Sequence, residues 1–186
     1  MDTVNYFRQC LAEHKDGPKA VSWGSKESQE IRFKVLGEIG DIAGKSVLDV
    51  GCGLGDLYNY LKDRNVGYTG CDIVPEMVEA ARKKYPEAKF IDKFPNQKFD
   101  YVFESGIFNL ETENWMIETN SMIYKMFEMA NIGIGINFLS SLSLNQKENS
   151  HYANPLDVIQ FICLLTNKWS LRHDYKQNDF TIYAFK

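Results

Sequence analysis

A glycine-rich turn between an apolar run and an amphipathic segment is the part of this sequence best suited to chemistry. Residues 47–55 read Val-Leu-Asp-Val-Gly-Cys-Gly-Leu-Gly, which places glycines at positions 51, 53 and 55. Glycine permits a tight turn and lets a ligand approach the backbone closely. In open α/β sheets, ligands bind at the carboxyl ends of the strands, where such a turn lies. The pattern therefore predicts a ligand-binding loop.

An acidic residue at the tip of the next predicted strand narrows the class of ligand. Asp72 ends this strand and follows Gly51 by about 20 residues, the usual spacing between a glycine-rich turn and a ribose-binding acid. A carboxylate at this position is placed to accept hydrogen bonds from both hydroxyls of a ribose. The turn and the acid together indicate an adenosine-type cofactor.

The glycine spacing and the local charge discriminate between adenosine cofactors. The dinucleotide fingerprint G-x-G-x-x-G would place its third glycine at position 56, where this chain has Asp56. A pyrophosphate also prefers a helix N-terminus without nearby carboxylates, whereas Asp49 and Asp56 flank this turn. S-adenosylmethionine carries a sulfonium and an ammonium group and no phosphate, so this charge favours it. An NAD-dependent oxidoreductase is the alternative, and calorimetry with both cofactors would distinguish the two.

The elements that must position this loop alternate between short apolar runs and stretches of helical period, which is typical of βαβ units. Strands are predicted at residues 46–50, 67–72, 99–104, 132–138, 169–174 and 180–185, with a further short strand ending near 91–92. Helices are predicted around 4–13, 28–39 with Ser28 as N-cap, 54–61, 75–85, 113–130 and 154–165. Only residues 175–179 join the last two strands, too few for a parallel crossover, so this pair must form an antiparallel hairpin.

These segments resemble the class I S-adenosylmethionine-dependent methyltransferase superfamily. The resemblance is carried by residues 47–55, 68–82 and 99–110, and with the strand pattern it extends from about residue 25 to the C-terminus. It implies an α/β, Rossmann-like, doubly wound seven-stranded sheet of order 3-2-1-4-5-7-6 with strand 7 antiparallel. It further implies that residues 1–186 are a single methyltransferase domain, in which N-terminal helices within residues 1–40 cap the cofactor and substrate cleft.

The resemblance also implies cofactor-binding roles for particular residues. The three glycines of the turn would line the methionine end of the cofactor, and Asp49 would face its amino group, directly or through water. Asp72 would hold the ribose hydroxyls, Ile73 would pack on the adenine, and Asp92 would accept from the adenine amino group unless it is a solvated loop carboxylate. The full predicted cofactor set is Arg32, Asp49, Gly51, Cys52, Gly53, Gly55, Asp72, Ile73, Asp92 and Glu104.

Arg32 enters this set from the helix that precedes the turn. It shares a face with Gln29, three residues earlier, and this helix is expected to cap the cleft. A guanidinium there could pair bidentately with the methionine carboxylate of the cofactor. The alternative is an arginine exposed on the surface.

The methyl acceptor is expected above the ends of the first, fourth and fifth strands, because the methyl group must lie in line between the sulfur and the nucleophile. The fourth strand ends in Glu-Ser-Gly-Ile-Phe-Asn at residues 104–109. Relatives that methylate exocyclic amines of bases or glutamine often have Asn/Asp-Pro-Pro-Tyr/Phe here, so its absence favours other small-molecule or O-methyl transfer. The predicted substrate residues are Trp23, Ser105, Phe108, Asn109, His151 and Tyr152.

A hydroxyl acceptor would benefit from a general base, which is worth about 10²–10⁴-fold in rate. His173, followed by Asp174 at the end of the sixth predicted strand, could supply one, and His151 is a second candidate. The alternative for each is a packed or surface histidine. Many methyl transfers need little beyond proximity and a water-poor pocket.

Composition bounds the remaining possibilities. The chain has 186 residues, a formal net charge of −4 and a pI near 5.4, which disfavour a broad nucleic-acid footprint. The four cysteines form no CxxC pair and the histidines are scattered, so no metal site is predicted and reduced thiols are expected. Residues 1–15 lack a signal-peptide core, and the most apolar stretch, 132–144, is too short and polar to span a bilayer.

These observations predict a cytoplasmic enzyme, monomeric or homodimeric, without nucleic-acid or membrane partners. It would convert S-adenosylmethionine to S-adenosylhomocysteine while methylating a small molecule, on oxygen in preference to nitrogen. The alternative is a regulatory or scaffold subunit that binds the cofactor without transferring methyl. Formation of S-adenosylhomocysteine with a candidate acceptor distinguishes the two.

Overall fold

A computed structural model describes residues 2–186 as a mixed sheet flanked by helices, and Met1 lies outside the described residues. The strands are β1 Ser46–Val50, β2 Gly67–Cys71, β3 Lys89–Ile91, β4 Phe99–Ser105, β5 Ala130–Leu139, β6 Trp169–Arg172 and β7 Asp179–Phe185. Their order is 3-2-1-4-5-7-6, and β7 runs antiparallel to both β5 and β6. The predicted fold and the terminal hairpin are confirmed.

Within residues 2–186, two α-helices precede β1 and four more lie between strands. They are α1 Thr3–His14, α2 Lys26–Leu36, α3 Asp56–Leu61, α4 Pro75–Lys84, α5 Trp115–Met129 and α6 Pro155–Leu165. Short 3-10 turns occur at Pro18–Val21, Lys62–Arg64 and Ile107–Asn109. Proline opens α4 and α6, where its missing amide proton would have had no helical partner in any case.

The start of α2 differs from the sequence prediction. Ser25 is the N-cap in place of Ser28, because its hydroxyl accepts a hydrogen bond from the Ser28 amide at 3.1 Å. The prediction was wrong by three residues because the charged first turn, Lys-Glu at 26–27, carries no apolar residue and looks like a loop. Because α2 begins at Lys26, both Gln29 and Arg32 lie within the helix.

Ser25→Ala is therefore expected to destabilise the protein by about 1 kcal/mol, the usual cost of removing a hydroxyl cap. Ser28→Ala is the matched control and should cost less, since Ser28 does not cap the helix. Urea unfolding of both variants measures the difference. A larger loss for Ser28→Ala would contradict the observed cap.

Two apolar layers enclose the sheet and fix the site above it. One side holds α5 and α6 against β4, β5 and β7, with Phe138 fully buried and stacked between Phe108 and Phe180 at centroid distances of 5.4 and 5.1 Å. The other side holds α2, α3 and α4 against β1 and β2. Parallel strands covered on both faces must be apolar almost throughout. The polar residues that remain buried along these strands, such as Asp49 and Glu104, therefore stand out.

Candidate active site

The carboxyl ends of β1, β2 and β4 open onto one cleft, and the N-terminal segment covers part of it. The lining residues come from the glycine-rich loop, the strand tips and the first 33 residues. Among them are Phe7, Val21, Trp23, Gln29, Asp49, Gly51, Cys52, Gly53, Asp72, Ile73, Val74, Met77, Asp92, Lys93, Phe94, Ser105, Gly106, Ile107 and Met122. This is the edge of the sheet at which the sequence predicts a cofactor.

The glycines of the loop are required by both backbone and space. Gly51 and Gly53 have φ angles of 74° and 50°, a region that favours glycine. A Cβ atom on Gly51 would lie 2.1 Å from Ile107 Cγ2, and one on Gly53 would lie 2.8 Å from Val21 Cγ1. The absence of side chains at these two positions therefore lets the loop backbone pack closely against Ile107 and Val21 in the wall of the cleft.

Gly55 has a different environment from the other two. Its φ angle is 79°, and an added Cβ would lie 2.7 Å from Phe90 Cζ, in the core next to α3. Gly55 does not appear among the residues that line the cleft. The structure thus gives it a packing contact in place of the predicted contact with the methionine end of the cofactor.

Asp72 is held rigidly at the tip of β2. One carboxylate oxygen accepts from the Gly53 amide at 2.9 Å, and the other accepts from the Val74 amide at 2.9 Å. Burial raises the pKa of Asp72, and these backbone hydrogen bonds oppose the rise. Each oxygen keeps a second lone pair, so this carboxylate can accept from a pair of hydroxyls.

Asp49 is buried at the end of β1, with 3% of its surface exposed. Burial raises the pKa of Asp49 to about 7, and the negative charges of Asp72 and Asp56 add to this rise. The Tyr68 hydroxyl donates a hydrogen bond to Asp49 Oδ2 at 2.6 Å and lowers the pKa. Tyr68 was missed in the sequence, although the register could have revealed it: Tyr68 pairs with Val47, two residues before Asp49 and on the same face.

The far side of the cleft is a mixed apolar and acidic pocket. Ile73 is 67% exposed and lines the cleft with Asp92, Phe94 and Met122. The sequence assigns Ile73 and Asp92 to the adenine, whereas neither Phe94 nor Met122 stood out there. An exposed isoleucine beside a ribose-type carboxylate suits the flat face of a purine.

Glu104 lies at the end of β4 but behind the cleft wall. It is completely buried, and its Oε1 accepts from the Ile107 amide at 2.5 Å. Burial raises its pKa to about 8, against the backbone hydrogen bond and the positive charge of Arg32. Glu104 does not line the cleft, so a direct contact with the cofactor is not brought about in this structure.

Arg32 is neither exposed nor part of the cleft lining. Only 3% of its surface is accessible, and its Nη2 donates to the fully buried Asp179 at the start of β7. Its guanidinium lies 4.5 Å from the centroid of the Trp23 ring. The structure therefore separates Arg32 from the predicted methionine carboxylate by the indole of Trp23.

Two of the predicted substrate residues line the cleft and two neighbours do not. Trp23 and Ser105 line it, and the Ser105 hydroxyl donates to Asn137 Oδ1 at 2.8 Å. Phe108 is buried against Phe138, and Asn109 Oδ1 accepts from the Leu139 amide at 3.3 Å. The 3-10 turn at Ile107–Asn109 directs these two side chains into the protein, which adjacency to β4 in sequence does not reveal.

The candidate histidines lie away from the cleft. His173 Nε2 hydrogen bonds to Ser140 Oγ at 2.8 Å, and its ring stacks on Phe180. The His151 ring stacks on Trp115 with ring centroids 3.6 Å apart, and its Nδ1 hydrogen bonds to Glu111 Oε2 at 2.8 Å. Tyr152 accepts from the Lys147 amide at 2.8 Å. In this structure none of these three side chains lines the cleft. The two candidate bases, His173 and His151, therefore lie outside it.

Side chains of the N-terminal segment pack against α4 and line one side of the cleft. Phe7 and Leu11 of α1 pack with Ala20 and Met77, and Arg8 donates to Glu76 of α4 at 2.8 Å. Phe7 and Val21 in turn line the cleft. This arrangement shields the cleft with apolar side chains.

Within residues 2–186, no group of three or more His, Cys, Asp or Glu side chains is arranged to hold a metal ion. The helices of this part of the chain are all too short or too polar to cross a bilayer.

Comparison with known proteins agrees with this geometry. Residues 47–125, from β1 into α5, match the model of a family described as a methyltransferase domain. No significant sequence match was found among curated proteins. The matched segment contains the glycine-rich loop, Asp72, Asp92 and the end of β4.

Solved structures of similar fold cover nearly the whole chain at low identity. The magnesium protoporphyrin IX methyltransferase of Synechocystis PCC 6803 with bound S-adenosylhomocysteine has a TM-score of 0.70 at 16% identity, covering 100% of this chain and 95% of that one. The Burkholderia thailandensis 1,6-didemethyltoxoflavin-N1-methyltransferase has 0.70 at 14% identity, covering 98% and 86%. A putative methyltransferase from Haloferax volcanii, in complex with the Trm112 activator, has 0.72 at 13% identity, covering 96% of each chain.

Proposed function

We propose that this chain, which carries a class I S-adenosylmethionine-dependent methyltransferase domain, transfers the methyl group to an oxygen atom of a small-molecule acceptor. The observation that carries the proposal is the wall of the cleft. Apolar side chains dominate it, and Lys93 is the one basic residue among the described residues that line it. Such a wall suits a small organic acceptor and gives a phosphate backbone little to bind.

The cofactor fits the residues that are present. Gly51 and Gly53 let the loop backbone lie against Ile107 and Val21 in the wall of the cleft. Asp72 offers its free lone pairs to ribose hydroxyls, and Ile73 offers an exposed apolar face to adenine. Asp49 would hold the ammonium group when its carboxylate is ionised. Cys52 and Asp92 also line the cleft and complete the proposed cofactor contacts, whereas Arg32, Gly55 and Glu104 would act indirectly.

The chemistry follows from this arrangement. When bound, S-adenosylmethionine supplies a methyl group on sulfur: the acceptor oxygen forms a bond to that carbon as the C–S bond breaks, sulfur keeps the electron pair, and the proton of the acceptor passes to solvent. Trp23, Val21 and Ile107 exclude water from the cleft, and Ser105 stands at the end of β4 where the acceptor is expected. Proximity and a water-poor site therefore carry the rate.

The choice of oxygen and the choice of a small acceptor have one support each: a missing motif for the first and the names of similar structures for the second. Residues 104–109 lack the Asn/Asp-Pro-Pro-Tyr/Phe pattern of many N-methylating relatives. Two similar structures are named for porphyrin and toxoflavin methylation, although the second is named as an N1-methyltransferase. We place the protein in the cytoplasm as a monomer or homodimer; its four cysteines, all within the described residues, are free thiols, as a reducing compartment requires.

The test is product formation by the full-length protein. Incubation with S-adenosylmethionine and, separately, phenol, benzoate or aniline is expected to yield S-adenosylhomocysteine with an oxygen acceptor above the rate without acceptor. Product with aniline alone would contradict the oxygen preference. Calorimetric binding of NAD without binding of S-adenosylmethionine would contradict the cofactor, and cofactor binding without turnover of any acceptor would favour a regulatory subunit.

Gly53→Ala is expected to weaken binding of S-adenosylhomocysteine at least tenfold, or about 1.4 kcal/mol, because the new Cβ collides with Val21 and shifts the loop at the cleft. Gly44→Ala is the matched control. It introduces the same left-handed strain at φ 72°, but no atom lies within 4 Å of the new Cβ. Calorimetry and thermal unfolding separate the two effects: both variants should lose stability, and only Gly53→Ala should lose affinity. Equal affinities would show that the loop does not approach the ligand.

A further inference from the structure

The buried polar atoms that lack a hydrogen-bond partner within the described protein are all found in one place. They are Arg32 Nε and Nη1, Glu104 Oε2 and Asp179 Oδ2. Glu104 is the last residue but one of β4 and Asp179 begins β7, and both strands pair with β5, so the two residues lie at the same edge of the sheet. Burying a polar atom without a partner is unfavourable, so a cluster of such atoms is suited to receive a polar group.

The charge of this cluster indicates the sign of that group. Arg32 bonds to Asp179 Oδ1, and Lys176 Nζ lies 3.2 Å from Asp179 Oδ2 while it also donates to Ser28 Oγ. Burial raises the pKa of Glu104 to about 8, so its carboxyl is mostly protonated at neutral pH. With Glu104 protonated, Arg32 and Asp179 balance each other inside the protein, and Lys176, whose side chain is 29% exposed, adds positive charge at the edge of the cluster. The unpaired Nε and Nη1 donors of Arg32 therefore favour an acceptor group that carries negative charge.

The cluster lies directly behind the acceptor end of the cleft. The Trp23 ring covers the Arg32 guanidinium on one side and lines the cleft on the other. A Cβ on Gly106 would lie 3.3 Å from Trp23, so the indole rests on the end of β4. Trp23 is thus the side chain that stands between Arg32 and the cleft.

We propose that Arg32, beneath Trp23 and beside Asp179, forms a subsite that binds a carboxylate of the methyl acceptor. The inference rests on the proposed function, because it assigns this group to the acceptor. The two free donors of Arg32 match a singly charged carboxylate. A phosphate dianion would bring a second negative charge beside the buried Asp179, which a carboxylate does not. The acceptor class is therefore a small carboxylic acid with an apolar body that packs against Trp23.

A second source of the same chemistry is the methionine carboxylate of the cofactor, and the experiment distinguishes the two. Full-length protein saturated with S-adenosylhomocysteine is titrated with benzoate, benzyl alcohol and phenyl phosphate, followed by calorimetry and tryptophan fluorescence. Benzoate is expected to bind at least tenfold more tightly than the other two ligands. Equal binding of benzoate and benzyl alcohol, or tighter binding of phenyl phosphate, would overturn the proposal.

Variants locate the carboxylate. Arg32→Met, titrated at saturating S-adenosylhomocysteine, is expected to abolish the preference for benzoate over benzyl alcohol. Arg172→Met is the control, because that arginine is bound to Glu38 and Asp174 at the edge of the sheet. Arg32→Lys keeps the charge in case the methionine variant does not fold, and it should weaken benzoate several-fold.

The opposite pattern would overturn the assignment to the acceptor. If either Arg32 variant weakens S-adenosylhomocysteine but not 5′-methylthioadenosine, which lacks the amino-acid group, the carboxylate is that of the cofactor. Benzoate binding that is unchanged in a folded Arg32 variant would overturn the subsite as well. Failure of the proposed function has a different signature, namely no binding of S-adenosylhomocysteine to the unmodified protein.

Discussion

Replacement of Asp72 by alanine is expected to raise the dissociation constant of S-adenosylhomocysteine by about 10- to 160-fold. This range corresponds to about 1.5–3 kcal/mol, the contribution of hydrogen bonds to a charged group. The carboxylate also accepts from the amides of Gly53 and Val74, so the substitution loosens both the glycine-rich loop and the start of α4. Lost ligand contacts and a less ordered loop act in the same direction.

Asp72→Asn separates these two contributions. Asparagine keeps the shape and one carbonyl acceptor, so one of the two backbone amides stays paired. Its affinity should lie between those of the native protein and Asp72→Ala. Asp92→Ala serves as a second comparison, because Asp92 lines the same cleft at the predicted adenine end. Calorimetric affinities that do not change in Asp72→Ala would contradict the assignment of the ribose site.

The sequence was sufficient for most of the fold because its signals are local and periodic. β1 was predicted with its observed bounds, and the short 175–179 link alone required the terminal hairpin. The start of α2 was misplaced, because Lys-Glu at 26–27 has no apolar periodicity. The order of the strands was not accessible from periodicity and came from the family resemblance.

Site residues could be predicted where they directly follow a strand. They could not be predicted where tertiary packing determines whether a side chain reaches the cleft. Asp72 and Gly53 follow β2 and β1 directly, and the topology brings them together. Phe7 and Phe94 reach the cleft through tertiary packing, and in sequence they look like ordinary core residues. His173 was attractive for its chemistry, but the pairing of β5 with β7 brings it to Ser140. Which way a side chain turns at the end of a strand is determined by distant neighbours.

The affinity for S-adenosylhomocysteine is expected to rise about tenfold per pH unit between pH 5 and 7 and to level off above pH 7. Burial raises the pKa of Asp49 to about 7 in the free protein, with the nearby carboxylates adding to the effect. Only the ionised carboxylate attracts the ammonium group, so below pH 7 binding must first displace a proton. The sign follows from this linkage: one proton is released on binding, and affinity falls as pH falls.

Two comparisons make the source of this pH dependence identifiable. In Asp49→Asn, affinity should be weak and nearly independent of pH, because no proton remains to be displaced. For 5′-methylthioadenosine, which has no ammonium group, the native protein should show little change over the same range. Tyr68→Phe removes the donor that favours the ionised form, so the midpoint should move above pH 7. A slope that persists in Asp49→Asn would assign the titration to another group, with Asp72, whose pKa burial also raises, as the next to replace.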